Sequence, residues 1–276
     1  MRAEEKYEKC VQGLKGYVEK AGFTDVVLGL SGGIDSALVA VMCFDAFEAG
    51  RVHAVLLPGP YTSAHSVDDA EELAGNLGIS TETISILEPY QAFCQAFLDA
   101  GLAPLEGLAA ENAQARCRMV CLMALSNTYR WMLVNTGNKS ESLVGYSTLY
   151  GDMAGAYAPL GGLYKTEVYE LSRWRNAFDE ARGRRAPIPC RILEKAPSAE
   201  LAPGQEDEKS LGLCYDELDR ILSALVDEGK TTAEAAAMGH DERQVERIAA
   251  LLAANAFKQP YQPPFPSFKG VCHGDV

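Results

Sequence analysis

The sequence predicts an α/β protein built on a doubly wound parallel sheet, with a helical segment at its C-terminal end. Three observations carry that expectation. Short apolar, β-branched runs alternate with longer stretches of helical spacing, the pattern of βα units. Those runs end in glycine, proline or small polar residues, where a strand hands over to a turn. From residue 215 onward, helical stretches follow one another with no strand between them.

Residues 4–21 have the spacing of an amphipathic helix. "DVVLGL" (25–30) is apolar without helical spacing and reads as a buried strand. "SALVAVMCFDAF", from Ser36, reads as a helix, with Asp35 and Ser36 as good N-cap types. "RVHAVLL" (51–57) is a second strand ending at "PGPYTS", and "SVDDAEELAGNLG" is a helix stopped by Gly78. "TETISI" reads as a third strand and 88–100 as a helix. "ENAQARCRMVCLMALSNTYR" is a long helix with apolar positions every three to four residues, and "WMLVNT" a fourth strand ending in Thr136, Gly137 and Asn138. Two irregular stretches, 145–163 and 181–208, are expected to be lids, since loops of that length in a compact domain usually carry function. "YDELDRILSALVDEG", "TAEAAAMG" and "DERQVERIAALLAANAFK" then read as helices. Residues 1–276 are expected to form one domain, its α/β core over about 1–180 and the lid and C-terminal helices over about 181–276.

Composition narrows the function classes. A length of 276 residues with 47% hydrophobic content suffices for a buried core. The longest apolar run, "ALVAVMCF", spans about eight residues and "MRAEEKYEKC" has no signal-like apolar stretch, so the expectation is a soluble cytoplasmic protein without a membrane partner. A net charge of −13 argues against nucleic acid as main ligand. It leaves room for a small phosphorylated ligand, because a local cradle of N–H groups binds phosphate inside an acidic protein. The 8 cysteines show neither disulfide nor zinc spacing and read as core thiols.

The most informative string is "LGLSGGIDSA". Between strand and helix, Gly29, Leu30, Ser31, Gly32, Gly33, Ile34, Asp35 and Ser36 offer unhindered N–H groups, two hydroxyls and a carboxylate. Such a set at one helix N-terminus makes an anion site. It is neither the G-x-x-x-x-G-K-[ST] loop nor the G-x-G-x-x-G fingerprint. A Gly-Gly turn alone is something any βα connection can use.

The whole string resembles the S-G-G-x-D-S loop of the N-type ATP pyrophosphatases. That likeness implies an adenine nucleotide alpha hydrolase-like, Rossmann-like fold and attack at the α-phosphate of ATP with pyrophosphate leaving. "ENAQARCRM" (111–119), "NTGNKSE" (135–141), "GYSTLYGDMAGAYAPL" (145–160), "YKTEVYEL" (164–171), "PSAEL" (197–201) and "GQEDE" (204–208) are similar to NAD synthetases, in the same order, over about residues 10–265. The chain resembles the synthetase half of the glutamine-dependent enzymes, and the nitrilase-like glutaminase domain they carry upstream has no counterpart in it.

The resemblance implies ATP-dependent amidation of deamido-NAD through an acyl adenylate. By the same likeness, residues 29–36, Thr136, Lys165 and Ser198 contact ATP, Asp35 and Glu141 ligate Mg²⁺, and Arg116, Phe257 and Lys258 contact deamido-NAD. It further implies a homodimer with deamido-NAD near the subunit interface. Free ammonia is the expected nitrogen donor, with a separate glutaminase as the alternative source. The chain departs from the family pattern at Leu149 and Ala156, where ammonia-dependent enzymes carry Lys and Asp, and at Ala256 and Gln259, where the family often has Glu and Arg.

Three other readings compete. A tRNA thiolation enzyme would want a reactive C-x-x-C pair and a basic surface, and the sequence has neither. A nucleotide-sensing module would need the loop but not Glu141, Lys165 or Arg116. A helix-turn-helix at 232–252 would place Asp241, Glu242 and Glu246 against DNA phosphates, which repels them.

Overall fold

The structure, a computed structural model, describes residues 1–268. Helix α1 (Ala3–Lys20) leads into β1 (Val26–Gly29), α2 (Ile34–Phe47), β2 (Val52–Leu56), α3 (Ala64–Leu77), β3 (Ser80–Thr83), α4 (Leu87–Asp99), α5 (Leu108–Tyr129) and β4 (Met132–Leu133). There follow α6 (Lys139–Val144), α7 (Lys165–Glu180), α8 (Cys190–Glu194), α9 (Asp207–Leu211), α10 (Tyr215–Leu222), α11 (Thr232–Ala237) and α12 (Glu242–Asn255). The strands are parallel in the order β3-β2-β1-β4, with Val26 of β1 in register with Val52 and Met132. The chain therefore winds outward from β1 to β3 and returns to pair β4 on the other side of β1. That reversal opens a crevice beyond the carboxyl ends of β1 and β4, where doubly wound sheets bind ligands.

Strand alternation divides the core in two. Val26, Leu28, Val52, Leu56 and Met132 pack with α1, α2, α3 and α7, while Val27, Val55, Leu133 and the adjoining Leu57 pack against Leu122 of α5 and Ile86. Helix α2 is apolar nearly all round because it is buried nearly all round; Leu38, Met42 and Phe47 are enclosed. Each such side chain contributes roughly 1.5–3 kcal/mol by burial. A third apolar cluster joins Val144 of α6 to Leu218, Ile221 and Leu222 of α10 and to Val245 and Ile248 of α12. The C-terminal helices thus have a core of their own, shared with α6. Among the described residues no helix is long and apolar enough to cross a membrane.

Four expectations are corrected. Helix α2 begins at Ile34 with Gly33 as N-cap, so Asp35 and Ser36 lie inside its first turn. Ser36 closes the loop instead: its hydroxyl donates to the Gly33 carbonyl at 3.1 Å and accepts the Ser31 N–H at 3.2 Å. β4 is shorter than "WMLVNT": the Val134 N–H still donates to the Val27 carbonyl of β1, but Val134 also bridges Tyr157, and the next N–H, that of Asn135, donates to the Tyr157 carbonyl. The stretch 145–163 is consequently a wall and not a lid, with Tyr157, Leu160 and Leu163 buried. Among the described cysteines Cys10 and Cys43 alone are buried; Cys94, Cys117 and Cys121 are half-buried and Cys190 and Cys214 exposed. The half-buried set arises because α4 buries none of its residues and leaves one side of α5 uncovered. Cys272 lies outside the described residues.

Candidate active site

A cavity of about 340 Å³ opens at the crevice, lined by the 29–36 loop, the ends of β2 and β4, the 145–154 wall, and residues 195–201. Gly32 is the member of the loop that does not line it. Its φ of +75° turns the backbone toward α3, where a Cβ would lie 2.1 Å from the Ser66 carbonyl oxygen. Only glycine fits both the left-handed conformation and that approach. The Gly33 N–H is held by the Ser31 hydroxyl at 3.2 Å, and that hydroxyl meets Ser36 at 3.0 Å. The loop donors therefore rest on its own hydroxyls, which a phosphate can replace.

Beside the loop, the N-terminal turns of α2, α6 and α7 converge. The Lys165 ammonium is 2% exposed and lies 2.5 Å from Asp35 and 2.8 Å from Glu141. Asn138 fixes both acids: its amide donates to Asp35 at 2.9 Å, and its carbonyl oxygen, the N-cap of α6, accepts the Glu141 N–H at 3.0 Å. The Tyr215 hydroxyl bridges Glu141 and Asp207 at 3.3 Å each. Burial pushes the Glu141 carboxyl up to about 7, opposed by Lys165 and reinforced by Asp35 and Asp207. Burial pulls the Lys165 ammonium down, but Asp35 and Glu141 outweigh it and hold the group well above the usual lysine range. Three carboxylates around one ammonium leave surplus negative charge, which fits a hard divalent cation with carboxylate, water and phosphate oxygens. Among the described residues no three acidic, His or Cys side chains are spaced to hold a metal ion unaided. Asp35 and Glu141 could supply two ligands, the remainder coming from a ligand or water.

Of the residues singled out in the sequence, Gly29, Leu30, Ser31, Gly33, Ile34, Asp35, Ser36, Thr136, Glu141, Lys165 and Ser198 all line the cavity. Ser198 donates to the Gln205 carbonyl at 2.6 Å and accepts the Glu200 N–H at 3.1 Å, shaping the turn above the loop. Arg116, Phe257 and Lys258 do not line it. Arg116 is exposed and donates to the Leu149 carbonyl at 3.3 Å. Phe257 is 58% exposed, and Lys258 donates to the carbonyls of Gly145 and Ser147, bracing the wall from behind.

Sequence reasoning missed several contributors. Arg118, two positions beyond Arg116 and about 200° farther round α5, is the arginine that reaches the cavity. Glu200 carries a strap, residues 195–206, onto α3: its carboxylate accepts the hydroxyls of Ser63 and Ser66 at 2.8 and 2.9 Å and the Ser63 N–H at 3.3 Å. Asp207 ends the strap and accepts the Ala199 N–H. Arg118, Glu200 and Asp207 each sit within a string that was quoted above, so the signal was present without the residue. Tyr215 had none.

Parallel strands, a glycine-rich loop at the switch point and acids on the neighbouring helix turns define an α/β nucleotide-binding protein of the adenine nucleotide alpha hydrolase type. The chain belongs to the NAD synthase family, whose profile matches residues 6–262. It is 48% identical over 269 residues to a glutamine-dependent NAD(+) synthetase of Rhodobacter capsulatus, covering 95% of this chain and 48% of that one. The chain spans about half the length of the curated relatives it matches. Among solved structures, NMN synthetase from Francisella tularensis is similar with a TM-score of 0.77 and 30% identity over 100% of both chains. The NH3-dependent NAD synthetase from Campylobacter jejuni, solved with a nitrate ion, is similar with a TM-score of 0.73 and 30% identity over 94% of this chain and 97% of that one.

Proposed function

We propose that this chain amidates deamido-NAD to NAD, consuming ATP and releasing AMP and pyrophosphate. The observation that carries the reading is the convergence of the 29–36 loop, Thr136, Asp35, Glu141 and Lys165 on one cavity in a chain of the NAD synthase family. In the first step the nicotinate carboxylate oxygen attacks the α-phosphorus, the bond to the bridging oxygen breaks, and pyrophosphate leaves. The 29–36 loop binds that leaving group through backbone N–H groups, which need no reorganisation as charge develops. In the second step ammonia attacks the acyl carbon, AMP leaves with the bond electrons, and the nitrogen gives up one proton to yield the neutral amide. Asp35 and Glu141 would hold Mg²⁺, which when bound offsets the charge of the departing phosphates. Lys165 keeps those two acids together, and Thr136 and Ser198 position the nucleotide.

The nitrogen donor in this reading is free ammonia, supported by the similarity to an NH3-dependent enzyme along nearly the whole of both chains. A separate glutaminase is the alternative supplier. The chain acts as a homodimer. In support, α4 buries none of its residues, and Phe93, Leu98, Leu108, Val120 and Met123 stand exposed on α4 and α5. Arg116 shares a helix face with Val120 and Met123, so pairing there would carry it to the partner's deamido-NAD instead of its own cavity.

The test supplies purified chain with ATP, Mg²⁺, ammonium and either deamido-NAD or nicotinate mononucleotide. Equal yields of amide, AMP and pyrophosphate are expected with deamido-NAD, and ¹⁸O in its carboxylate should pass into AMP. Production of ADP, or AMP free of label, refutes the acyl adenylate; preference for the mononucleotide refutes the dinucleotide.

A further inference from the structure

Three cationic side chains line the cavity among the described residues: Lys165, Lys195 and Arg118. Two of them are neutralised by the protein. Lys165 is held by Asp35 and Glu141, and Lys195 lies 3.0 Å from Asp69. Arg118 makes no ion pair with any described residue. Its Nε donates to the Leu57 carbonyl at 3.0 Å and its Nη2 to the Thr62 hydroxyl at 3.4 Å, and the rest of the fork has no partner there. Burial pulls this guanidinium below the usual arginine range, while Glu200 and Asp152 act on it only from beyond contact.

A largely buried cation without a counter-charge is costly, and proteins keep one where a ligand brings the anion. A guanidinium has the planar fork that matches phosphate and carboxylate oxygens. Its position at the end of β2 lies one strand away from the loop that takes the leaving phosphates. We propose that Arg118 binds an oxyanion, phosphate or carboxylate, carried by one of the two nucleotide substrates. This rests on the functional reading above. The two bonds to Leu57 and Thr62 hold the fork in place before the substrate arrives, so it is a preformed half-site.

The experiment is calorimetric titration of the whole chain, parent, Arg118→Gln and Arg118→Lys, with adenosine, AMP, ATP, deamido-NAD and NAD. Arg118→Gln should weaken either AMP and ATP or deamido-NAD by about tenfold or more while leaving adenosine, which has no oxyanion, within about twofold; Arg118→Lys should recover part of the loss. Loss for AMP and ATP assigns a phosphate of ATP. Loss for deamido-NAD but not NAD assigns the nicotinate carboxylate, and loss for both assigns the dinucleotide pyrophosphate. Equal weakening of adenosine, or no weakening of any probe, overturns the proposal and leaves Arg118 as a tie between α5 and the 57–62 turn. A parent chain that binds neither ATP nor deamido-NAD overturns the functional reading itself, which is distinct from a failure confined to the variants.

Discussion

Gly32→Ala tests whether backbone direction, and not loop crowding, makes the phosphate site. The added Cβ would sit 2.1 Å from the Ser66 carbonyl oxygen and 2.9 Å from its carbon, both backbone atoms of the first turn of α3. At φ +75° an alanine also pays left-handed strain of about 1–2 kcal/mol. Relieving the overlap moves either the loop or α3, at a further ~1–3 kcal/mol. The total, about 2–5 kcal/mol, corresponds to a melting point lower by very roughly 4–20 °C in a chain of this size. Gly33→Ala is the control: its φ is −85°, and the nearest atom is the rotatable Ser31 hydroxyl at 3.2 Å. It should cost no more than about 1 kcal/mol, mainly from the poorer N-cap. Thermal denaturation and ATP titration of both variants decide the matter. A Gly32→Ala protein that melts with the parent and binds ATP as well, or a Gly33→Ala protein equally damaged, refutes the reasoning.

Asp35→Asn should lower turnover on the order of a hundredfold or more, since positioned charge stabilisation is usually a dominant catalytic contribution; full activity at limiting Mg²⁺ would contradict its role as a metal ligand. Glu200→Ala releases the strap from Ser63 and Ser66 and should weaken ATP binding about tenfold with little change in melting point; cleavage by a dilute protease within 195–206 should accelerate, and unchanged cleavage would count against the strap's anchorage. Burial raises the Asp152 carboxyl to about 6, against the pull of the Thr148 N–H and Lys258. A carboxyl raised on folding contributes stability that is present at low pH and lost as pH rises through about 6, so Asp152→Asn should gain melting temperature relative to the parent between about pH 4 and 6.5; a constant difference would refute this. With ammonium as sole nitrogen donor, turnover should rise toward about pH 8 to 9 as free ammonia becomes available, and efficient use of glutamine by the isolated chain would overturn the free-ammonia reading.

Contiguity decided what could be read from the sequence. The 29–36 loop is consecutive, so its residue types and its place between strand and helix declared an anion site without any knowledge of packing. Strand positions were legible to within a few residues, because glycine and proline bound the apolar runs. Lys165, by contrast, was matched to ATP phosphates, and its two acid partners lie 130 and 24 residues away; only the meeting of three helix N-terminal turns reveals that its charge is already held. Arg116 and Arg118 could not be told apart because α5 is apolar on both sides: one faces the sheet, the other the uncovered α4 side, so the string has no single polar phase. The 145–163 stretch looked like a lid through its glycines and aromatics, and its pairing with Val134 needed a partner 23 positions earlier.

Helix α6 has only six residues, yet it joins the cavity to the C-terminal core. Asn138 caps it and Glu141 reaches the cavity from its first turn, while Val144 at its far end is locked among α10 and α12. Lys139 adds an ion pair to Asp227 at 2.7 Å, just beyond α10. A helix that short does not hold its shape alone. The opening free energy of the C-terminal helices is therefore written into the affinity of the nucleotide site: whatever draws Glu141 into a complex must also slow amide exchange along α12, although α12 does not line the cavity. Conversely, a substitution at Ile248, remote from any phosphate, changes nucleotide binding by shifting the population in which α6 exists as a helix at all.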